Sequence, residues 1–186
     1  MPGRKPVYAN LAKFLFEMGD LKYVKRSGWW HAKIKDPESV AEHSFRAGLI
    51  AYVLGQLENH RNPERLAFIA LIHDLPESRL LDLHKISASY VRDKAKIERR
   101  IKADQQRLLG FDFPLPSSNE LVIVKDADLL EMAFTAREYM AAGHAVAVHL
   151  LDGAQANLQL ESSKSLLLAM KKSRPSDWWM DVIRRK

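Results

Sequence analysis

The chain contains no cysteine. Disulfides and thiolate-ligated metal sites are therefore excluded, and the lack fits a reducing cytoplasm. No apolar stretch approaches the length needed to span a bilayer. The opening MPGRKP, residues 1–6, lacks the apolar run of a signal peptide. A soluble cytoplasmic protein is expected. No alternating apolar–polar run is long enough to read as a strand. The glycine loops of Walker and Rossmann sites are absent, as is a nucleophile-elbow serine. There is no internal repeat, low-complexity segment or domain linker.

What remains is helical periodicity in a chain of 186 residues, enough for one domain with a sizeable core. Leu11, Phe14, Leu15 and Met18 share a helix face, with Gly19 as a stop. A basic loop runs from Lys22 to Trp30. Ser39 and Glu42 form a capping box that opens a helix to about Glu58. Asn62-Pro63 opens the next helix, which reaches His73, and Pro76 marks an end or break. Further helices are expected from about Ser87 to Leu109, from a Ser117–Glu120 capping box to about Gly143, and from about His144 to Lys171. A short terminal helix follows Pro175. The expected architecture is a single all-α domain, its core spanning residues 8–143 with C-terminal helices over 144–186.

The formal charge is +6. Basic residues are dispersed among acids, and the run Arg184-Arg185-Lys186 reads as a tail, so a nucleic-acid partner is not expected. A modest positive field favours small anionic substrates.

Four residues stand out: His43 in SVAEHSF, His73-Asp74 in ALIHDLPE, and Asp128 in KDADLL. Two imidazoles and two carboxylates suit one divalent cation with positions left open for water and substrate. Mn²⁺, Co²⁺, Ni²⁺, Fe²⁺, Mg²⁺ or an open-site Zn²⁺ all meet that description. Singly, each residue has a blander reading: a satisfied half-buried His43, a loop carboxylate at Asp74, a surface acid at Asp128 beside Asp126 and Glu131. Jointly these fail. His43 lies on the side of Ala47, Ile50 and Leu54 and so faces inward. Asp128 interrupts an apolar helix face, where an unpaired carboxylate is expensive. Glu77, one helical turn after His73, projects toward the same place and is the candidate proton-transfer group.

The order H…HD…D, with the phrases VAEHSF, HDLPE and KDAD, resembles the HD-domain metal-dependent phosphohydrolases, in the branch that contains the 5'-deoxynucleotidases. The resemblance runs from about Tyr8 to about Gly143. It implies a helical bundle, a metal held by His43, His73, Asp74 and Asp128, and catalytic help from Glu77. It also implies that Asp82 lines the site and that Arg26 contacts the substrate phosphate. In the deoxynucleotidases a Trp directly follows that Arg, whereas here Ser27 and Gly28 intervene before Trp29. Trp29 and Lys85 complete the expected substrate-binding set, with Trp29 or Trp30 packing in the core. His84 also lies within reach of an anion.

The expected reaction is hydrolysis of nucleoside 5'-monophosphates, deoxy forms first. A phosphodiesterase or nucleoside-triphosphate hydrolase on the same metal is the alternative, and a nucleic-acid-binding helical protein with a structural metal is a further one. No extra histidine cluster signals a two-metal site. Apolar helices from Asp128 onward, with Trp178 and Trp179, suggest a homodimer.

Overall fold

Two capping boxes set the helices that carry the site. In the computed structural model, which describes residues 7–184, Ser39 Oγ accepts from the Glu42 amide at 3.2 Å, and Glu42 returns the bond to the Ser39 amide at 2.6 Å. They open α2, Val40–Leu57. Ser117 and Glu120 repeat the motif at the start of α7, Ser118–Ala141, with bonds of 3.3 and 2.7 Å. Such caps satisfy amides that the helix itself leaves without acceptors. Asn62 Oδ1 caps α3, Pro63–Leu71, by accepting from the Arg65 amide. The MPGRKP stretch and the last two residues of the basic tail lie outside the described residues.

The remaining helices are α1 (Tyr8–Gly19), α4 (Glu77–Leu80), α5 (Lys85–Tyr90), α6 (Lys94–Leu109), α8 (Val148–Asn157), α9 (Glu161–Lys172) and α10 (Asp177–Arg184). Short 3-10 turns cover Asp20–Lys22, Ser27–Ala32 and Ala145–Ala147. No strand occurs among the described residues, and the architecture is all-α.

One continuous apolar cluster joins α2, α3, α7, α8 and α9 through Leu54, Leu66, Leu130, Leu151 and Leu167. α2 and α3 cross closely because of glycine: a Cβ at Gly55 would lie 2.7 Å from Leu66 Cδ1 and 2.9 Å from Pro63 Cβ. A second cluster, of Phe14, Leu21, Val24, Val40, Leu75 and Leu109, seats α1 and α6 beside the chain that follows His73-Asp74. The loop carrying Arg26 is pinned to the start of α2. Arg26 N donates to Glu38 O at 3.0 Å, and Val40 N donates to Val24 O at 2.8 Å.

Three expectations about helices are corrected. Leu15 is 67% exposed, so Phe14, with Leu11 and Met18 partly covered, carries the buried face of α1. The segment expected as one helix over 87–109 is two. Val91 is extended and Asp93 adopts a left-handed φ of 56°, between α5 on the site side and α6 against α1. The helix expected over 144–171 is broken at Leu158–Leu160. The cause is Asp126, fully buried, whose carboxylate accepts the amides of Gln159 and Leu160 at 2.8–3.1 Å. It thereby takes up amides at the start of α9, which a continuous helix would have consumed internally.

Glu120 also receives Arg65 Nε at 2.7 Å. That guanidinium, together with the Ser117 bonds, holds its carboxyl down at about 2. A carboxyl depressed on folding stabilises the fold above its unfolded pKa, and that stabilisation fades as pH falls toward the folded value. Glu120→Gln retains the capping geometry and removes the charge. It should lower stability by about 1 kcal/mol at neutral pH, given a half-exposed Arg partner. Parallel denaturant titrations of both proteins should show the gap closing between pH 4.5 and pH 2.

Candidate metal centre

The His73-Asp74 pair sits in the turns just after α3, with Asp128 near the middle of α7 and His43 in the first turn of α2. Their side chains converge. His43 Nε2 lies 3.2 Å from Asp128 Oδ1 and 3.6 Å from Asp74 Oδ2. His73 Nε2 lies 3.1 Å from Asp74 Oδ2 and 3.9 Å from Asp128 Oδ1. Donors that share one ion at about 2.1 Å must stand about 3–4 Å apart, so these separations have the size of a coordination shell. His43 Nε2 and Asp74 Oδ2 are buried with no hydrogen-bond partner among the described residues. Orphaned donors of this kind are rare and call for an unseen partner. His43, His73 and Asp128 also satisfy the mutual spacing of a metal triad. The chemistry of the donor set fits a divalent cation.

The backs of the imidazoles are fixed. His73 Nδ1 lies 2.5 Å from the Ala70 carbonyl oxygen, and His43 Nδ1 lies 2.5 Å from Glu131 Oε2. Each contact leaves Nε2 pointing into the site, the tautomer a metal ligand needs. Glu131 is fully buried and itself held: Arg46 Nε and Nη2 donate to its Oε1 at 3.0 and 2.9 Å, as does Thr135 Oγ1 at 2.9 Å. Arg46 extends the chain to Glu138 at 2.6 Å. Asp128, Glu131, Thr135 and Glu138 recur at i, i+3, i+7 and i+10 on α7, a polar stripe facing α2. Asp126 and Glu131, which the sequence offered only as neighbours of Asp128, are both fully buried.

Charge is unbalanced toward the negative. Burial and Arg26 oppose a proton on His43, yet Asp128 and Glu131 raise it to about 10. Burial would raise Asp74, but His73, His43 and Arg26 hold it below the usual carboxylate range. Burial, then Asp74 and Asp82, push Glu77 up to about 9, and its Oε2 is buried without a partner. Burial disfavours the charge of Arg26, but Asp74, Asp82 and Asp128 outweigh that and raise its pKa.

Arg26, His73, Asp74, Glu77, Asp82 and Asp128 line a cavity of about 680 Å³, a size typical of small-ligand sites; His43 is fully buried and does not border it. Arg26 Nη1 lies 3.4 Å from Asp82 and 3.7 Å from Asp74. Asp82 accepts the Ser27 amide at 2.5 Å, and its carbonyl accepts Ser27 Oγ at 2.7 Å, so it fastens the Arg26 loop beside Glu77. Lys85 lines the cavity, as do Lys94 and Lys125, which the sequence did not flag. So do His31 and His84, ring centroids 4.6 Å apart. Trp29 borders the cavity but is 2% exposed, its Nε1 bonded to Glu38 at 3.0 Å and its ring edge-on to Tyr139. Trp30 is the exposed member of the pair.

Removing the carboxylate behind His43 should loosen the ion without unfolding the chain. Glu131→Gln keeps the shape and Arg46's neighbour while losing the charge. Metal affinity, read by competition with a chromophoric chelator, should fall about 10–100-fold. Affinity equal to the parent protein would show that Ala70 and packing alone orient the ligands.

The profile of the HD domain family matches residues 18–170. The chain is 33% identical over 144 residues to 5'-deoxynucleotidase HDDC2 of Danio rerio, covering 70% of each chain. It is 31% identical over 141 residues to the Bos taurus protein of the same name, covering 70% of this chain and 68% of that one. Among solved structures, a structural-genomics crystal structure superposes with a TM-score of 0.78 at 34% identity, covering 92% of this chain and 99% of the other. Helical architecture, converging donors and sequence likeness agree, and the chain belongs to the HD domain family.

Proposed function

We propose that this protein is a metal-dependent phosphohydrolase that releases phosphate from nucleoside 5'-monophosphates, deoxynucleotides first. The observation that carries the reading is that two orphaned atoms, His43 Nε2 and Asp74 Oδ2, face each other at 3.6 Å where Asp74, Glu77 and Arg26 line one cavity. The relatives named 5'-deoxynucleotidase supply the substrate class. The enzyme is proposed to act in the cytoplasm, a reducing compartment that a chain without cysteine fits.

His43, His73, Asp74 and Asp128 would hold one divalent ion, which supplies Lewis acidity at the phosphoryl group and makes water a better nucleophile at neutral pH. Arg26 grips the phosphate through charge-assisted, forked hydrogen bonds. Its position between Asp74 and Asp82 keeps it within reach of the same anion. Glu77 is raised by burial and then by the charge of Asp74; with that charge offset by the bound ion, Glu77 would ionise and take a proton from the attacking water, through the oxygen that has no other partner. Asp82 acts through Arg26 and Ser27, holding the loop in register. Lys85, Lys94 and Lys125 draw an anion into the cavity and favour its charged form. Trp29 forms the wall behind Arg26. The water oxygen forms a new bond to phosphorus as the bond between phosphorus and the 5' oxygen breaks, the proton taken by Glu77 passes to that departing oxygen, and the products are nucleoside and phosphate.

Metal-stripped protein, assayed for phosphate release from a panel of mononucleotides with Mn²⁺, Co²⁺, Ni²⁺, Fe²⁺, Mg²⁺ and Zn²⁺ added back singly, tests the reading. Activity should return with at least one ion and be highest on deoxynucleotides. Asp74→Ala should lose metal and turnover together. Glu77→Gln should keep the metal and turn over about 10²–10⁴ times more slowly. Failure of every ion on every mononucleotide would end the proposal.

The assembly is proposed to be a homodimer. Of the surface expected from the sequence, Trp178 and Trp179 are exposed, whereas Leu129, Leu130, Ala133 and Ala136 of α7 are buried within the chain. A further exposed apolar stripe lies on α2 and α3: Phe45, Leu49, Val53 and Leu57, with Phe68 and Leu71. Its i, i+4, i+8, i+12 spacing suits a helix laid against a second copy. A double substitution, Leu49→Glu with Val53→Glu, should halve the mass measured by light scattering. A monomer mass for the unaltered protein at every concentration would rule the dimer out.

A further inference from the structure

Gly153 sits inside α8, where glycine weakens a helix relative to alanine. Nothing packs on it: a Cβ there would meet no atom within 4 Å. It is not a positive-φ residue either, so no backbone geometry requires it. Gly153 lines the cavity that His73, Asp74 and Asp128 also border. Gly28, in the 3-10 turn after Arg26, repeats every part of this description on another wall of the same cavity. Gly48 and Gly55 differ, because a close helix crossing explains them. Two glycines with no structural demand therefore border one void.

The position of that void follows from the pairing of α7 with α8. Asp126 of α7 binds the amides just past the C-terminal end of α8, at Gln159 and Leu160. At the opposite end, the rings of Tyr139 and His144 are 6.1 Å apart. The two helices run antiparallel, so α8 recedes from the metal end as one moves from Asn157 back toward His149. Gly153 stands midway along it. Met132 lies one turn beyond Asp128 on α7, about 6 Å along the axis. Leu129, Met132 and Leu150 line this stretch, and it is the apolar part of the cavity. The metal end is where Asp74, Asp128, Glu77 and Arg26 crowd together.

We propose that the space kept open by Gly28 and Gly153, against Leu129, Met132 and Leu150, receives the sugar and base of the nucleotide whose phosphate sits at the metal end. This rests on the phosphohydrolase reading above. An apolar wall suits the face of a base and the carbon edge of a sugar, whereas the carboxylate-rich end does not. A side chain at either glycine would occupy the ligand's volume. A helix interior that keeps glycine where alanine would fit sterically has traded stability for room, as sites of function do.

The test uses two probes that water cannot cleave: the methylenephosphonate analogue of deoxyadenosine 5'-monophosphate, and methylphosphonate. Both are titrated calorimetrically against Mn²⁺-loaded protein. The unaltered protein should bind the nucleoside probe at least about tenfold more tightly, a difference of about 1.4 kcal/mol. Gly153→Leu should reduce nucleoside-probe affinity by about tenfold or more while methylphosphonate changes by less than about threefold. Gly153→Ala should raise the Tm yet weaken the nucleoside probe, and it decides the matter if the leucine variant does not fold. Equal loss for both probes, unchanged nucleoside-probe affinity in the alanine and leucine variants, or equal affinity of the unaltered protein for both probes would each overturn the proposal. Failure of the phosphohydrolase reading is distinct: it shows as no phosphate release from any mononucleotide, whatever the calorimetry reports.

Discussion

Asp74 and Asp128 approach the same two imidazoles in a pocket largely closed to water, with Glu77 and Asp82 close by. Like charges at such distances repel strongly where water cannot screen them. Arg26 answers part of this, and the proton held on His43 answers another part. The orphaned atoms show that the answer is incomplete within the chain itself. A dication is the compact remedy, since it replaces the proton, pairs both carboxylates and satisfies both orphaned donors at once. Most of the local architecture can be understood as keeping this repulsive set assembled.

Two kinds of structure do that work. One is apolar: the close approach of α2 to α3 through Gly55, and the cluster around Leu75, bring the turn bearing His73-Asp74 to the helix bearing His43. The other is polar: Glu131, Arg46, Thr135 and Glu138 join α2 to α7 behind the ligands. A buried network of this kind is stabilising only when its members are satisfied, and here Glu131 receives bonds at both oxygens. It orients His43 and ties the helices carrying two of the ligands to one another.

Much of this was legible in the sequence, and the failures have a common cause. Ser39–Glu42, Ser117–Glu120 and Asn62-Pro63 act locally, so their caps could be read directly. The four ligands could be found because residue type and neighbouring phrase coincided. Asp126 and Glu131 were given no role because their partners lie far along the chain, at Gln159 and at His43. Glu131 left a usable signal all the same: it is one turn past Asp128, on a helix whose neighbouring positions are apolar. The break at Leu158–Leu160 left none, since helical periodicity continues through it and only a carboxylate from another helix interrupts it. Lys94 and Lys125 were overlooked because surface lysines are common, and only the cavity distinguishes these two.

Asp126 is two residues from the ligand Asp128, and its carboxylate holds the start of α9. The segment beyond Asn157 is therefore geared to the metal site as a crank is to a shaft. A rotation of α7 that displaced Asp128 would drag the first turn of α9 with it or strip the amides of Gln159 and Leu160 of their acceptor. α9 in turn presses Leu167 and Met170 into the same core as Leu130. The segment beyond Asn157 thus acts as ballast against twisting of the ligand helix, and changes there would be felt as altered ligand alignment far from any residue that touches the ion.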